Sequence, residues 1–366
     1  LQASAPVSLP ARTPAQLLAL MAASDVSELS GTLEQSVDLG LPQLPTGGPA
    51  PSSTAGMDQL LGLLTSPHTV RIYLDGATNQ RVQVLDRLAE RDVVRHGNTV
   101  WTYDSATNTA TQLTLPTPSV PYATAPNVKM PGYMGPDTPP LTPKTPEGYA
   151  GSVVPTPAQL AAKFLANLTP STQVASGPDT KVAGRDAYEL VLMPRTSDTL
   201  VGNVTIAIDA ATGLPLSVSV QAKGSDKAAF AVAFSQLKLA APPASMFTFT
   251  PPPGATVTKA TLPVHAVPVK QLPGALPGAL PMTPIGPVPP AAPTTSGTGW
   301  ATIVEAPAGT VPASLLSSPQ LAQMLQSVAG GHALTTSLFT ALVTTDGHLY
   351  VGAVPLSALQ AAAAGR

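Results

Sequence analysis

The residue types that could support catalysis or metal binding are histidines and carboxylates, because the sequence contains no cysteine. The histidines are scattered singly along the chain, at His68, His96, His265, His332 and His348. Metal-binding histidines need further ligands at suitable spacing, and none of these five has a second histidine placed that way. We therefore predict surface or capping roles for all five, and no metal-binding residue.

Motifs that position a nucleophile or a phosphate group are absent from the sequence. It has no G-x-S-x-G elbow, no phosphate-binding glycine-rich loop and no H-E-x-x-H pair. Asp75, Asp104, Asp209 and Asp346 fall in predicted turns, where Asp commonly accepts hydrogen bonds from nearby backbone N–H groups. The sequence thus predicts no catalytic residue, no cofactor and no enzymatic activity.

The composition predicts folded units separated by linkers. The 43 Pro and 29 Gly make up about a fifth of the 366 residues, and only 10% of residues are charged, against ~25% in an average soluble domain. A hydrophobic fraction of 43% still supplies one sizeable core. A net charge of -2, without clustered Lys or Arg, predicts no nucleic-acid partner and no adsorption to anionic lipid headgroups.

The N-terminal region predicts an exported protein. Residues 1–11 are rich in Ala, Ser and Pro, and we expect them to be a tether left after export and trimming. No apolar run approaches the ~18–20 residues that cross a bilayer, and no basic-then-apolar signal peptide is present. The prediction is an extracytoplasmic protein, secreted or at the cell surface, with no transmembrane segment in this chain.

The same pentapeptide, Thr-Pro-Ala-Gln-Leu, predicts the start of a helix at 13–17 and again at 156–160. Thr is a favoured N-cap, Pro suits the first helical position, and Gln three residues after the cap completes a capping box. Leu17, Leu20 and Met21 follow at the spacing of three or four residues that gives a helix one apolar face. The flanking sequences differ, so the repeated pentapeptide indicates a shared capping signal and not a repeated domain.

Outside these helices, apolar residues alternate with polar ones, which predicts half-buried antiparallel strands. One set lies at 70–74, 82–84, 93 and 100–104, with turns at Asp75-Gly76 and at His96-Gly97-Asn98. A second set lies at 188–192, 204–208, 216–220 and 230–234. The turns at 209–213 and 223–226 are short enough for hairpins.

Two Pro-rich stretches predict the domain boundaries. Residues 116–157 are interpreted as an insert in a sheet domain that spans 12–257, and residues 258–298 as a linker. Residues 299–366 then form a small α+β module with a strand at 300–304, a helix at 319–328, a hairpin at 338–354 and a final Ala-rich helix. The predicted fold class is α+β, mainly β. A module this small has a marginal core, so we expect it to dock on the larger domain.

Two helices are too few to cover eight or more predicted strands. The sheet either has a core filled by its own side chains or curves around a hollow, and periodicity alone leaves both open. A hollow would suit a lipid, because ~16 carbons at ~0.8 kcal/mol per methylene offer ~12 kcal/mol before ordering costs.

Five segments, in order along the chain, resemble the bacterial superfamily of the lipoprotein carrier LolA and the sigma-factor regulator RseB. They are Ser30-Gly31-Thr32-Leu33-Glu34 and the stretches 97–104, 182–192, 208–215 and 247–254. Together they extend over most of the predicted sheet domain. The module after the linker resembles the C-terminal extension of exported actinobacterial members.

The resemblance implies a half-open antiparallel barrel, lidded by helices, whose concave apolar face binds lipid acyl chains. By that analogy the ligand-binding positions are Leu17, Leu20, Met21, Val70, Ile72, Leu74, Val82, Val84, Trp101, Tyr103, Val204, Ile206, Ile208, Val218, Val220, Phe230, Val232 and Phe234. The sequence departs from the carrier in two respects. The arginine that latches the carrier's lid has no placed equivalent, and the insert at 116–157 is long.

The leading hypothesis is an extracytoplasmic carrier that shelters the acyl chain of a lipid or lipoprotein in an apolar cavity. An RseB-like regulator that binds an anti-sigma factor or another envelope protein is the alternative. A purely structural, wall-associated protein is a third possibility, favoured by the Pro-rich segments, and it predicts a filled core.

Overall fold

The computed structural model describes residues 8–41, 67–85, 89–115, 155–166, 170–261, 293–310 and 324–365. Within these ranges the chain is mainly β, with one large curved sheet, one small sheet and few helices. The predicted fold class is therefore confirmed. The order of the large sheet has two free ends, so its described strands do not close into a barrel.

The large sheet contains thirteen strands within the described ranges. They are β1 (Glu28–Val37), β2 (His68–Asp75), β3 (Asn79–Leu85), β4 (Glu90–His96), β5 (Thr99–Asp104), β6 (Thr109–Thr114), β7 (Thr172–Ser176), β8 (Thr180–Val182), β9 (Arg185–Pro194), β10 (Val201–Asp209), β11 (Pro215–Ala222), β12 (Ala228–Lys238) and β13 (Thr256–Thr261). Their order is β13-β6-β5-β4-β3-β2-β1-β12-β11-β10-β9-β7, and β8 also pairs with β9. Neighbours are antiparallel except β13, which runs parallel to β6.

The two predicted helices form as their capping signals indicate. These are α1 (Pro14–Ala22) and α2 (Pro157–Ala166). Thr13 and Gln16 bond reciprocally through side chain and backbone, and Thr156 and Gln159 do the same. No helix in the described ranges has both the length and the hydropathy of a membrane-spanning segment.

A second sheet follows in the C-terminal part of the chain. Its strands are β14 (Thr294–Ser296), β15 (Ile303–Ala306), β16 (Gln326–Val328), β17 (Gly331–Thr335), β18 (Thr340–Thr344) and β19 (Leu349–Gly352), in the order β14-β15-β19-β18-β17-β16. The Ala-rich helix α3 (Leu356–Ala364) packs on β18 and β19. Leu342, Tyr350 and Leu359 are buried between helix and sheet.

Some predicted elements of the C-terminal part were wrong. The strand predicted at 300–304 begins only at Ile303, because Gly299–Ala301 form a 3₁₀ turn closed by a hydrogen bond from Thr302 Oγ1 to the Gly299 carbonyl. The helix prediction at 319–328 was wrong at its end, because Gln326–Val328 form strand β16, which pairs with β17 across the turn Ala329-Gly330. Residues 311–323 of that helix lie outside the described residues.

The sheets also extend into the segment predicted as a linker. β13 continues to Thr261, and β14 begins at Thr294, so both ends of the 258–298 segment are paired strands. Of the predicted insert, 116–154 lies outside the described residues, and its last residue, Pro157, begins α2.

Candidate apolar ligand site

The register of the large sheet brings most of the predicted ligand-binding residues onto one face. Directly opposed residues of antiparallel strands point to the same side. Val70 of β2 lies opposite Val84 of β3. Leu33 of β1 lies opposite Val70 on one side and opposite Phe234 of β12 on the other. The same face continues through the pairs Val218–Val232, Ile206–Val218 and Ile208–Tyr188. The predicted strand residues on this face, here called the apolar face, are Val70, Ile72, Leu74, Val82, Val84, Val204, Ile206, Ile208, Val218, Val220, Phe230, Val232 and Phe234.

Trp101 and Tyr103 do not belong to the apolar face, so this part of the prediction was wrong. Val82 pairs with Val93, and Val93 pairs with Thr102, which puts Trp101 and Tyr103 on the other side of the sheet. There both rings pack against Phe249, with centroid distances of 5.4 and 5.7 Å. Alternation was ambiguous here because Val100 and Trp101 are adjacent and both apolar.

The structure adds leucines that the sequence analysis did not include among the ligand-binding residues. Leu33 of β1 and Leu190 and Leu192 of β9 have no exposed surface. Leu192 lies opposite Val204 and Leu190 opposite Ile206, which places both on the apolar face. Their alternation was visible in the sequence, but the sequence could not show that β9 neighbours β10.

Helices α1 and α2 cover the apolar face. α1 lies against β7 and β9, and α2 lies against β11. α1 buries Leu17 and Met21, and α2 buries Ala161 and Leu165, in one cluster with side chains of β9, β10 and β11. Leu20, predicted to face inward, is partly buried at the edge of that cluster.

The protein's own side chains fill the centre of the apolar face. Val204, Ile206, Ile208, Val218 and Val232 have 0% of their surface exposed, so no water-sized space adjoins them. Side chains that are this fully enclosed leave no room beside them for an additional chain. An apolar ligand can therefore reach this face only where a covering element moves away.

The residues before α1 tie this helix to the sheet edge. The Leu9 N–H donates to Asp179 Oδ2 at 2.7 Å, and Ser176 Oγ donates to the carbonyl of Arg12 at 2.9 Å. The guanidinium of Arg12 lies 5.4 Å from the ring centroid of Tyr188, and its Nε donates to the Tyr188 hydroxyl at 3.2 Å. Residues 8–11, predicted as part of a tether, thus contact the sheet, and nothing in the sequence pattern singled out Arg12.

The other end of α1 rests on the turn between β10 and β11. Gly213 in this turn has φ +74°, and a Cβ built on it would lie 2.2 Å from the carbonyl oxygen of Leu20. Only glycine allows this approach without displacing the helix. The turn is organised by Asp209, which accepts hydrogen bonds from the N–H and hydroxyl of Thr212 at 2.9 and 2.6 Å.

Two buried carboxylates differ in their electrostatics although each pairs with an arginine. Burial raises the pKa of Asp209, but hydrogen bonds from Arg185 and Thr212 outweigh burial and hold the pKa below its ordinary value. For Asp92, burial is dominant and raises the pKa, although Arg81 Nε donates to its Oδ1 at 3.1 Å. Asp209 therefore stabilises the fold as an anion, while ionised Asp92 carries a desolvation cost.

The histidines are not gathered into a site in the described part of the chain. His348 Nδ1 lies 3.4 Å from Glu305, and His332 Nδ1 lies 3.5 Å from Ser327 Oγ. No group of three or more His, Asp or Glu residues among those described is arranged to hold a metal ion. His265 lies outside the described residues.

A polar depression of about 300 Å³ lies on the opposite face of the large sheet. It is lined by residues of β1, β2 and β12, including Arg71, Tyr73 and Lys238. The β1–β12 register shifts between Thr32 and Leu33, beside this depression. It is separated from the apolar face by the thickness of the sheet.

No protein-family model and no curated protein sequence matches this chain. The structure of the MucA/MucB complex of Pseudomonas aeruginosa is similar to it at 18% identity and a TM-score of 0.42, over 95% of this chain and 96% of that one. MucB in complex with MucA(peri) is similar at 16% identity and a TM-score of 0.42, over 95% and 96%. A LolA superfamily protein from Nitrosomonas europaea is similar at 10% identity and a TM-score of 0.22, over 65% and 99%.

Proposed function

We propose that this protein is an extracytoplasmic carrier that shelters the acyl chain of a lipid or lipoprotein, and that α1 gives way to admit it. The supporting observation is the small contact of α1 with the apolar face. α1 buries only Leu17 and Met21, whereas the face extends from β9 to β3. A displaced α1 uncovers a surface that a hydrocarbon chain can occupy in its place.

The estimated free energies favour replacement of α1 by a long acyl chain on the apolar face. Exposing Leu17 and Met21 costs ~1.5–3 kcal/mol each, or about 3–6 kcal/mol together, and losing the contacts of Arg12 with Tyr188 and Ser176 adds about 1 kcal/mol each. A chain of ~16 carbons gains ~12 kcal/mol from burial before ordering costs, and a chain of ~6 carbons gains only ~5 kcal/mol. Binding is therefore expected to rise steeply with chain length.

The test measures bound lipid and chain-length dependence. Native mass spectrometry and solvent extraction of the purified protein are expected to recover lipid. Titration with fluorescent fatty acids is expected to show binding of a ~16-carbon chain at least tenfold tighter than that of an ~8-carbon chain, since each methylene contributes ~0.8 kcal/mol. Absence of extracted lipid together with absence of fatty-acid uptake would contradict the proposal and favour a structural role, for which a filled core is sufficient.

A pair of core variants, one in α1 and one on the opposite face of the large sheet, tests the part assigned to α1. Leu17→Ala weakens the docking of α1, so it is expected to tighten the apparent binding of the ~16-carbon chain because opening costs less. Val94→Ala removes part of a buried side chain of β4 on the opposite face of the large sheet and is expected to leave binding unchanged. Weaker binding by Leu17→Ala would show that α1 contributes to the ligand cavity and does not yield to the ligand.

A regulatory function is the second candidate, and one exposed strand favours it. β13 is the end strand of the large sheet, and residues 256–260 are exposed, with Val257 at 44%. Such an edge offers unpaired backbone groups to a strand of a partner protein. Delipidated protein used as bait in an envelope extract would retain one defined partner if the chain is a regulator, whereas a carrier alone would retain none.

A further inference from the structure

Trp300 connects the second sheet to the cover of the apolar face. It lies in the 3₁₀ turn Gly299–Ala301, directly before β15. Its indole Nε1–H donates to Thr172 Oγ1 of β7 at 2.8 Å, and Thr172 is only 8% exposed. Its ring stacks on Phe164 of α2, with centroids 6.4 Å apart and an interplanar angle of 20°. One side chain of the second sheet thus contacts both a covering helix and the sheet edge.

The contacts of Trp300 reach the cluster that fills the apolar face. Phe164 and Trp300 pack against the same group of buried side chains as Leu17 and Met21. α2 lies on β11 at the centre of that face. A movement of α2 away from β11 therefore requires Phe164 to leave Trp300, or Trp300 to leave Thr172.

Other contacts hold the second sheet on the first without depending on Trp300. The carbonyl of Ala353 accepts hydrogen bonds from the Leu200 N–H and from Thr199 Oγ1, both at 2.8 Å. The Ser337 N–H donates to the carbonyl of Leu39 at 3.0 Å. Leu338 and Phe339 also pack against Leu39, Ala222 and Ala229 of the large-sheet part of the chain. The second sheet is therefore held on the first by polar and apolar contacts, and its release requires these contacts to break together with those of Trp300.

We propose that the docked second sheet holds α2 in place through the side chain of Trp300. We call this coupling the lock. While the sheet is docked, Trp300 clamps α2 to β7, and only the α1 side of the apolar face can open. When a partner or a change of conditions draws the second sheet away, α2 is released and the face opens on both sides. The regulation of ligand uptake rests on the proposed carrier function, whereas the mechanical coupling between Trp300 and α2 does not.

The experiment uses the full chain and the second tryptophan as the control. Trp300→Ala is expected to raise hydrogen–deuterium exchange of the α2 amides about tenfold, because it removes both a buried hydrogen bond and a ring stack. It is also expected to raise the uptake rate of a fluorescent ~16-carbon fatty acid about tenfold, measured by stopped flow. Trp101→Phe, on the opposite face of the sheet, is expected to change neither.

Two conservative variants guard against simple loss of folding. Trp300→Phe keeps an aromatic ring but removes the indole donor, and Thr172→Val removes the acceptor. Since both delete the same hydrogen bond, they are expected to raise α2 exchange by similar and non-additive factors, smaller than that of Trp300→Ala. Circular dichroism and urea midpoints establish that each variant is folded.

The outcomes separate the lock from the carrier function. Unchanged α2 exchange in folded Trp300→Ala and Trp300→Phe would overturn the lock, whether or not fatty acid binds. Raised exchange of the α2 amides with an unchanged uptake rate would show that movement of α2 does not control the entry of the fatty acid. Raised exchange in a protein that takes up no fatty acid would support the mechanical lock and refute the carrier function.

Discussion

Arg185 and Asp209 form a two-point ion pair, with Nε to Oδ1 at 2.7 Å and Nη2 to Oδ2 at 2.8 Å. The pair joins the start of β9 to the end of β10, and the side chain of Asp209 is only 2% exposed. Through Thr212, the same carboxylate organises the turn on which the end of α1 rests. A local charge pair thus supports one of the two helices that cover the apolar face.

The first prediction concerns the pH dependence that Asp209 confers. Its pKa is held below the ordinary value of 3.8, so its contribution to stability is present above about pH 4 and is lost as pH falls through the folded-state pKa. Asp209→Asn is expected to lower the free energy of unfolding at pH 7 by ~2–3 kcal/mol, given that Arg185 is partly exposed. Urea denaturation between pH 2 and pH 7 should show the difference from wild type shrinking below about pH 4.

The second prediction concerns Asp92, whose contribution to the free energy of unfolding is expected to change with pH in the opposite direction. Burial raises its pKa, so its contribution is present in full below the ordinary value of 3.8 and is lost as pH rises through the folded-state pKa. Asp92→Asn is expected to cost ~1–2 kcal/mol at pH 3, through weaker bonding to Arg81, and less at pH 7. The same urea series measures it, and a cost that grows with pH would show that the ion pair with Arg81 outweighs burial.

The third prediction tests the approach of α1 to the β10–β11 turn. Gly213 and Gly224 have similar positive φ angles, +74° and +77°, but only at Gly213 would a Cβ meet another atom. Gly224→Ala is expected to cost ~1–2 kcal/mol from backbone strain alone. Gly213→Ala is expected to cost about 2 kcal/mol more, because the Leu20 backbone must move. Equal costs in urea denaturation would mean that α1 shifts freely.

The fourth prediction concerns the fastening of the start of α1. Arg12→Ala removes the contact with Tyr188 and is expected to lower the free energy of unfolding by ~1 kcal/mol. Hydrogen–deuterium exchange of the α1 amides and the rate of fatty-acid uptake are both expected to rise about fivefold, because the free energy needed to open α1 falls by ~1 kcal/mol. Arg71→Ala, an exposed arginine of β2 on the opposite face, serves as the control and should alter neither rate.

The strand pattern and the helix starts were predictable because they are local. Thr13 and Thr156 cap their helices through residues three positions away, and hairpins such as β2–β3 join neighbouring segments of the chain. Alternation likewise identified most of the apolar face. It failed at Val100 and Trp101, where two adjacent apolar residues left the side of the sheet undetermined until the pairing with β4 set it.

The amino-acid sequence by itself determined where strands and helices begin, that the fold is mainly β, and which strand positions are apolar. Those properties depend on neighbours within a few residues. The tertiary structure alone decided that Trp101 and Tyr103 turn away from the apolar face, that Arg12 meets Tyr188, and that Trp300 reaches Phe164 and Thr172. These contacts join residues far apart in the chain, and they arise from the order of strands and the docking of one sheet on another, which no local pattern encodes.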